Sequence, residues 1–202
     1  MNHGTNPDCF RDALSLSRQI GFSQSSCACQ ANLANLALIE ENPRRALRCA
    51  QKSRHIALEI CDKRSEAIAE ENLALACVMM RNAEKARAHF ARALRLAAKL
   101  HDVQRQVSVR LGCVEMRLSL AGGAVSRGTV RKLLQSIEDN GFMDLRPRAL
   151  RILAETMALH PQYKQEATEW LKQAASEAER LSNSPEQIAC RKCLDRWSQT
   201  GR

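Results

Sequence analysis

Residues 32–62 read NLANLALIEENPRRALRCAQKSRHIALEICD, and residues 72–102 read NLALACVMMRNAEKARAHFARALRLAAKLHD. The two stretches align without a gap at a spacing of forty residues. Asn32, Leu33 and Ala34 fall on Asn72, Leu73 and Ala74; Asn42 falls on Asn82, Ala46 on Ala86 and Asp62 on Asp102. Self-similarity at a fixed period of this length marks a stack of helical units, each too small to bury its own apolar face. The register continues outward. Leu16, Ile20 and Phe22 lie forty residues before Ile56, Ile60 and Asp62, Gly122 continues the series Asn42 and Asn82, and Gly141-Phe142 echoes Gly21-Phe22.

Each unit reads as two helices. The first carries apolar residues at helical spacing, as in Leu33, Leu36 and Ala37. A break follows at Asn42-Pro43, at Asn82 or at Gly122-Gly123. Asn and Gly are expected there as the left-handed residue that ends a helix. Pro43 suits the first turn of the next helix, where its missing N–H costs nothing. The expected elements are a leading helix at 7–20, helix pairs at 25–41 with 44–61, 64–81 with 83–100, 103–120 with 126–140 and 146–159 with 162–181, and a last helix at 185–199. Pro161 marks the turn in the fourth pair, and Ser184 before Pro185 reads as a helix cap. No linker divides the chain, so one domain over 1–202 is expected.

Composition agrees. The chain has 202 residues, 45% of them hydrophobic, but only 3% aromatic, with 8 Gly and 5 Pro. Good helix formers dominate and β-branched residues are few, so helix is favoured nearly throughout. The net charge is +9, which suits an acidic partner (protein, nucleic acid or anionic lipid) or a solvated basic surface. The start MNHGTNPDCFRD is polar, and no apolar run approaches the length of a membrane span. Nine cysteines scattered through apolar helical patterns, such as Cys49, Cys77 and Cys113, read as small core residues of a reducing, cytoplasmic compartment.

The pattern resembles the tetratricopeptide repeat. Leu73-Ala74, then Ala86, Phe90 and Ala93-Leu94, match that family's positions in order. Leu33-Ala34, Ala46, Ala50 and Ser53 match in the preceding unit; Cys113-Val114, Ser126, Val130 and Leu133 in the third; and Leu153-Ala154, Ala167, Leu171 and Ala174 in the fourth if one residue is inserted. A period of forty resembles the longer-helix branch found in bacterial sensor and regulator proteins, and the likeness covers nearly the whole chain after about residue 9. It implies an all-α, right-handed superhelical solenoid of about four antiparallel helix pairs, with the leading helix in front and the last helix as a cap. It also implies protein or peptide binding in the concave groove of the first helices. Projected onto this sequence, the groove comprises Asn35, Glu71, Leu75, Met79, Arg110, Glu115, Arg148, Arg151 and Glu155. One branch of the family grips a carboxyl terminus with Lys and Asn; here Asn35 is in place, but the corresponding positions Ala31, Glu71, Leu111 and Arg151 hold no lysine.

Other constellations are weaker. Cys27-x-Cys29 and Cys190-x-x-Cys193 are separate pairs without neighbouring histidines, short of the four ligands of a structural zinc. The histidines, at 3, 55, 89, 101 and 160, form no ligand spacing and read as surface or turn residues. No nucleophile elbow or phosphate-binding glycine loop appears. No metal, cofactor or catalytic residue is therefore expected, nor an enzyme. Arg44, Arg45, Arg48, Lys52 and Arg54 lie on one second helix, and Lys85, Arg87, Arg92, Arg95 and Lys99 on the next. Such a face suits a solvated surface or one that tracks phosphates. In the last helix, Ile188, Leu194 and Trp197 read as a cap or a dimer contact. The expectation is a scaffold or adaptor that binds a protein or peptide. The alternative is a regulatory module, ligand-sensing or transcription-associated, whose basic convex face works near nucleic acid.

Overall fold

The computed structural model describes residues 7–120 and 125–199. Over them it is all-helical, with ten α-helices, one 3-10 turn and no strand. The helices are α1 (Pro7–Gln19), α2 (Ser23–Ile39), α3 (Pro43–Glu59), α4 (Lys63–Met79), α5 (Ala83–Lys99), α6 (Val103–Leu120), α7 (Arg127–Asp139), α8 (Arg146–Ala158), α9 (Lys164–Arg180) and α10 (Ser184–Gln199), with the 3-10 turn at Pro161–Tyr163 before α9. Every expected helix is present, with ends within two residues of those read from the sequence. The expected break at Gly122-Gly123 lies outside the described residues.

The chain forms two compact units, Met1–Gly112 and Cys113–Arg202. In the first, each helix from α1 to α5 packs on the next, and α2 also packs on α4. Small side chains allow this close stacking: Ala34, Ala50 and Leu73 form one buried cluster, and Ala37, Ala46 and Ala76 another. Asn72 is 4% exposed and donates its amide to the Ala31 carbonyl at 3.3 Å. In the second unit, α7 packs on α8, α8 on α9, and α10 on both α9 and α8.

The turns repeat every twenty residues. Gly21, Glu41, Cys61, Arg81, His101 and Gly141 all have positive φ. Around each left-handed residue the two-bond helix stop of a Schellman motif closes. At Glu41, for example, the Glu41 N–H donates to Leu38 O at 3.1 Å and the Asn42 N–H to Ala37 O at 2.8 Å. The left-handed residue is thus Glu41 or Arg81, not the asparagine after it. Asn42 and Asn82 instead cap the next helix, accepting from the Arg45 and Lys85 backbone N–H groups at 3.1 and 3.0 Å. The correction has a physical reason: an asparagine side chain satisfies an orphan N–H better than its backbone saves strain. Asp62 and Asp102 do the same for α4 and α6. Asn183, rather than Ser184, caps α10, accepting from Glu186 N at 3.4 Å.

The second helices bury one stripe each. Ala46, Ala50, Ser53 and Ala57 are buried on α3, Ala86, Phe90, Ala93 and Ala97 on α5, Val130, Leu133, Leu134 and Ile137 on α7, and Ala167, Leu171, Ala174 and Ala178 on α9. Ser126, aligned with the first of these positions, is instead the exposed cap of α7, accepting from Gly128 N at 3.2 Å. The α9 set follows the α5 set by 81 residues, not 80. The 3-10 turn at Pro161–Tyr163 takes up the extra residue.

Candidate functional site

In the second unit, α8 carries charges on the side facing α6 and α10. Arg151 is only 7% exposed. Its Nε donates to Glu186 of α10 at 2.8 Å, its Nη2 reaches Glu115 of α6, and its Nη1 lies 3.6 Å from Glu155 one helical turn on. Arg148 also holds Glu115, through Nε at 3.2 Å and through Nη2. Arg196 of α10 donates to Glu155 at 3.2 Å, and the Cys193 thiol donates to the same carboxylate at 2.7 Å. Three guanidinium groups therefore face three carboxylates, and the formal charges cancel. Burial alone would raise the Glu115 pKa, but Arg148 and Arg151 outweigh it and bring it down to about 2. Burial likewise opposes the charge on Arg151, and Glu186 and Glu115 overcome it, lifting its pKa well above the ordinary value.

A cavity of about 430 Å³ opens on this network, lined by Glu115, Leu118, Ser119, Arg151, Glu155, Ala158, Leu159, Arg196 and Trp197. Its floor is charged and paired, while part of its wall is apolar. Leu159 is 57% exposed. The structure thus brings four of the expected groove residues together: Glu115, Arg148, Arg151 and Glu155. Glu186, Cys193 and Arg196 belong to the same network, though sequence reading missed them. Glu186 sits two residues into an amphipathic helix, where an acidic residue reads as an ordinary dipole partner.

The other expected groove residues lie in the first unit. Glu71 is 4% exposed, accepting from Arg105 at 2.7 Å and from the Ser108 hydroxyl at 2.7 Å, both on α6. Asn35 and Arg110 are exposed, Leu75 is half-buried and Met79 is 38% exposed. Beside Glu71, Glu70 is fully buried and accepts from Arg54 Nε at 2.6 Å, with His89 Nδ1 also at 2.6 Å and Arg92 at 3.7 Å. Burial raises the Glu70 pKa, but hydrogen bonds from His89 and Arg54 reverse the shift and hold it below the usual carboxylate value. His89 is therefore a partner of a buried acid, not a plain surface residue. The signal was visible in Ala69-Glu70-Glu71-Asn72-Leu73, where two acids interrupt a helix that buries nearly every side.

The cysteines are core residues in the main. Cys190 and Cys193, with Glu186, form the buried face of α10, whereas Ile188 is 39% exposed. Burial pushes the Cys190 thiol up to about 11 despite Arg151, and burial with Glu155 pushes Cys193 to about 12 despite Arg151 and Arg196. Cys27 sits against Ser53, its sulfur 3.3 Å from the Ser53 carbonyl. Among the described residues, no group of three or more His, Cys, Asp or Glu side chains is placed to hold a metal ion, and no helix is long and apolar enough to cross a membrane. Compared with known proteins, the chain matches no family model and no curated protein.

Proposed function

We propose that this chain is a binding module, an adaptor of tetratricopeptide-like helix pairs, whose second unit accepts a protein or peptide segment in the cavity over Arg151. One observation carries the reading. The 430 Å³ cavity joins a charge-balanced, hydrogen-bonded floor to an apolar wall of Leu118, Ala158, Leu159 and Trp197. A neutral floor beside apolar side chains suits an apolar anchor residue flanked by backbone polar groups, the usual composition of a peptide-binding hot spot. The floor is preorganised: Arg151, Glu115 and Glu186 are already locked by one another, so little side-chain freedom is left to lose on binding. The protonated Cys193 thiol also favours binding over catalysis, since the thiolate is the nucleophilic form. Nine free thiols suit a reducing compartment.

The test is selection from a displayed random-peptide library, followed by affinity measurement on wild type and Leu159→Asp. Leu159 is exposed, so the charge leaves the fold intact. Peptides sharing one apolar residue should be enriched, and Leu159→Asp should weaken them at least tenfold at unchanged Tm. Undiminished binding to Leu159→Asp would remove this cavity as the site.

A further inference from the structure

A second concavity, of about 290 Å³, lies in the first unit, lined by Arg54 of α3, Glu66 of α4 and Arg92, Arg95, Leu96 and Lys99 of α5. Four of its six side chains are cationic. Its one lining carboxylate, Glu66, is paired with Lys63 at 2.8 Å. Beneath it, Glu70 is taken by Arg54 and His89 and lies 3.7 Å from Arg92. Among the described residues, the Arg95 and Lys99 side chains make neither a hydrogen bond nor an ion pair. Arg54 commits its Nε to Glu70, and among the described residues its terminal amino groups make no hydrogen bond.

The repeat supplies an internal control. Forty residues earlier, the positions of Arg95 and Lys99 hold His55 and Glu59, which lie 3.2 Å apart as an i,i+4 pair. In α5 the same two positions carry like charges, an arrangement that weakens a helix. Arg92 adds a third cation one turn earlier. Lys99 in the last turn suits the helix dipole and Arg92 lies near Glu70, but among the described residues the Arg95–Lys99 repulsion has no offset of the His55–Glu59 kind, which points to a ligand outside the fold. Guanidinium forks match the oxygens of phosphate, and a buried acid beneath them holds one fork in place. No aromatic side chain lines the cavity, so it offers bases no stacking platform.

We propose that Arg54, Arg92, Arg95 and Lys99 form a binding site for a small, multiply charged phosphate anion, independent of the peptide cavity. The concave, single cluster favours a compact polyphosphate over an extended nucleic-acid backbone, which would need phosphate contacts spread along several helices.

The probe is inorganic tripolyphosphate, titrated calorimetrically into the full chain at low and at moderate salt. Two double variants carry the same change in net charge: Arg95→Glu with Lys99→Glu, and Arg44→Glu with Arg48→Glu on the exposed face of α3. Circular dichroism confirms that both remain folded. The expected result is stoichiometric binding that falls at least tenfold in the first variant and less than twofold in the second. Equal losses in both would overturn the site in favour of diffuse attraction, as would absence of binding to wild type. Tighter binding of a mixed-sequence oligonucleotide than of tripolyphosphate, lost equally in both variants, would overturn it in favour of nucleic acid.

Discussion

Glu71 and Arg151 occupy the same position of the repeat, eighty residues apart, with opposite charge. Both are buried, and each is answered from the third residue of the next first helix: Arg105 on α6 for Glu71, Glu186 on α10 for Arg151. With the one extra residue of the fourth pair counted, Arg105 and Glu186 are themselves equivalent. The two regions thus carry one ion pair in two polarities. In the second unit the acid sits in the first helical turn, in line with the helix dipole; in the first unit a base sits there and opposes it. The surroundings differ as well. Arg105 is 29% exposed and reaches water, whereas Arg151 meets Glu115, Glu155 and Glu186, all at most 21% exposed. A charged slot in the stack therefore tolerates either sign, provided the following helix supplies the counterion.

The comparison can be broken most directly by truncation. Arg151→Ala strands Glu186 and leaves Glu115 and Glu155 with one guanidinium each, and should cost about 3–5 kcal/mol in urea denaturation. Glu71→Ala frees an arginine that can turn to solvent, and should cost only about 1–2 kcal/mol. Equal costs would mean that solvent access does not set the difference.

Acid sharpens it further. With its folded pKa near 2 against an ordinary 4.5, Glu115 contributes stability that is full above pH 4.5 and is lost as pH falls from 4.5 to 2. The loss is on the order of 2–3 kcal/mol. Trp170 and Trp197, the chain's 2 tryptophans, both lie in the second unit, so their fluorescence follows that unit alone. Denaturation monitored by tryptophan should show the decline across that window. A midpoint independent of pH there would contradict the assignment.

The smallest effect concerns the turns. Arg81 has φ +58° and Gly141 φ +70°. Arg81→Gly should stabilise by about 0.5–1 kcal/mol, relieving left-handed strain at a smaller entropic cost. Gly141→Ala, where an added Cβ meets nothing within 4 Å, should destabilise by about 1 kcal/mol through backbone strain alone. Calorimetric Tm values with the same sign for both would refute that account.

Much of the architecture was legible in the sequence because it rests on local signals. The forty-residue alignment located every helix, and the alanine stripes of α3, α5 and α9 identified the buried faces. The cap chemistry was misplaced by one residue, since Asn favours both a left-handed turn and a helix start, and only the hydrogen bonds to Arg45 and Lys85 separate the two. The site was half legible. Glu115, Arg148, Arg151 and Glu155 follow from their place on the first helices. That Arg151 would meet Glu186, and that Glu155 would accept from both Cys193 and Arg196, depended on how α10 turns about its axis. Cys190 and Cys193 decide that rotation, rather than the larger Ile188 and Trp197 on which a hydrophobicity reading concentrates.

The extra residue before α9 shows where the chain can change length. Each α-helical residue advances about 100° around the axis, so one inserted inside α9 would turn Ala167, Leu171, Ala174 and Ala178 off the core. Placed instead in the turn at Pro161–Tyr163, it leaves those alanines and Leu171 in phase. The short turn acts as a clutch between rigid rods, and length variants of this chain that still fold should carry their differences there and at its counterparts, with the helices keeping their count.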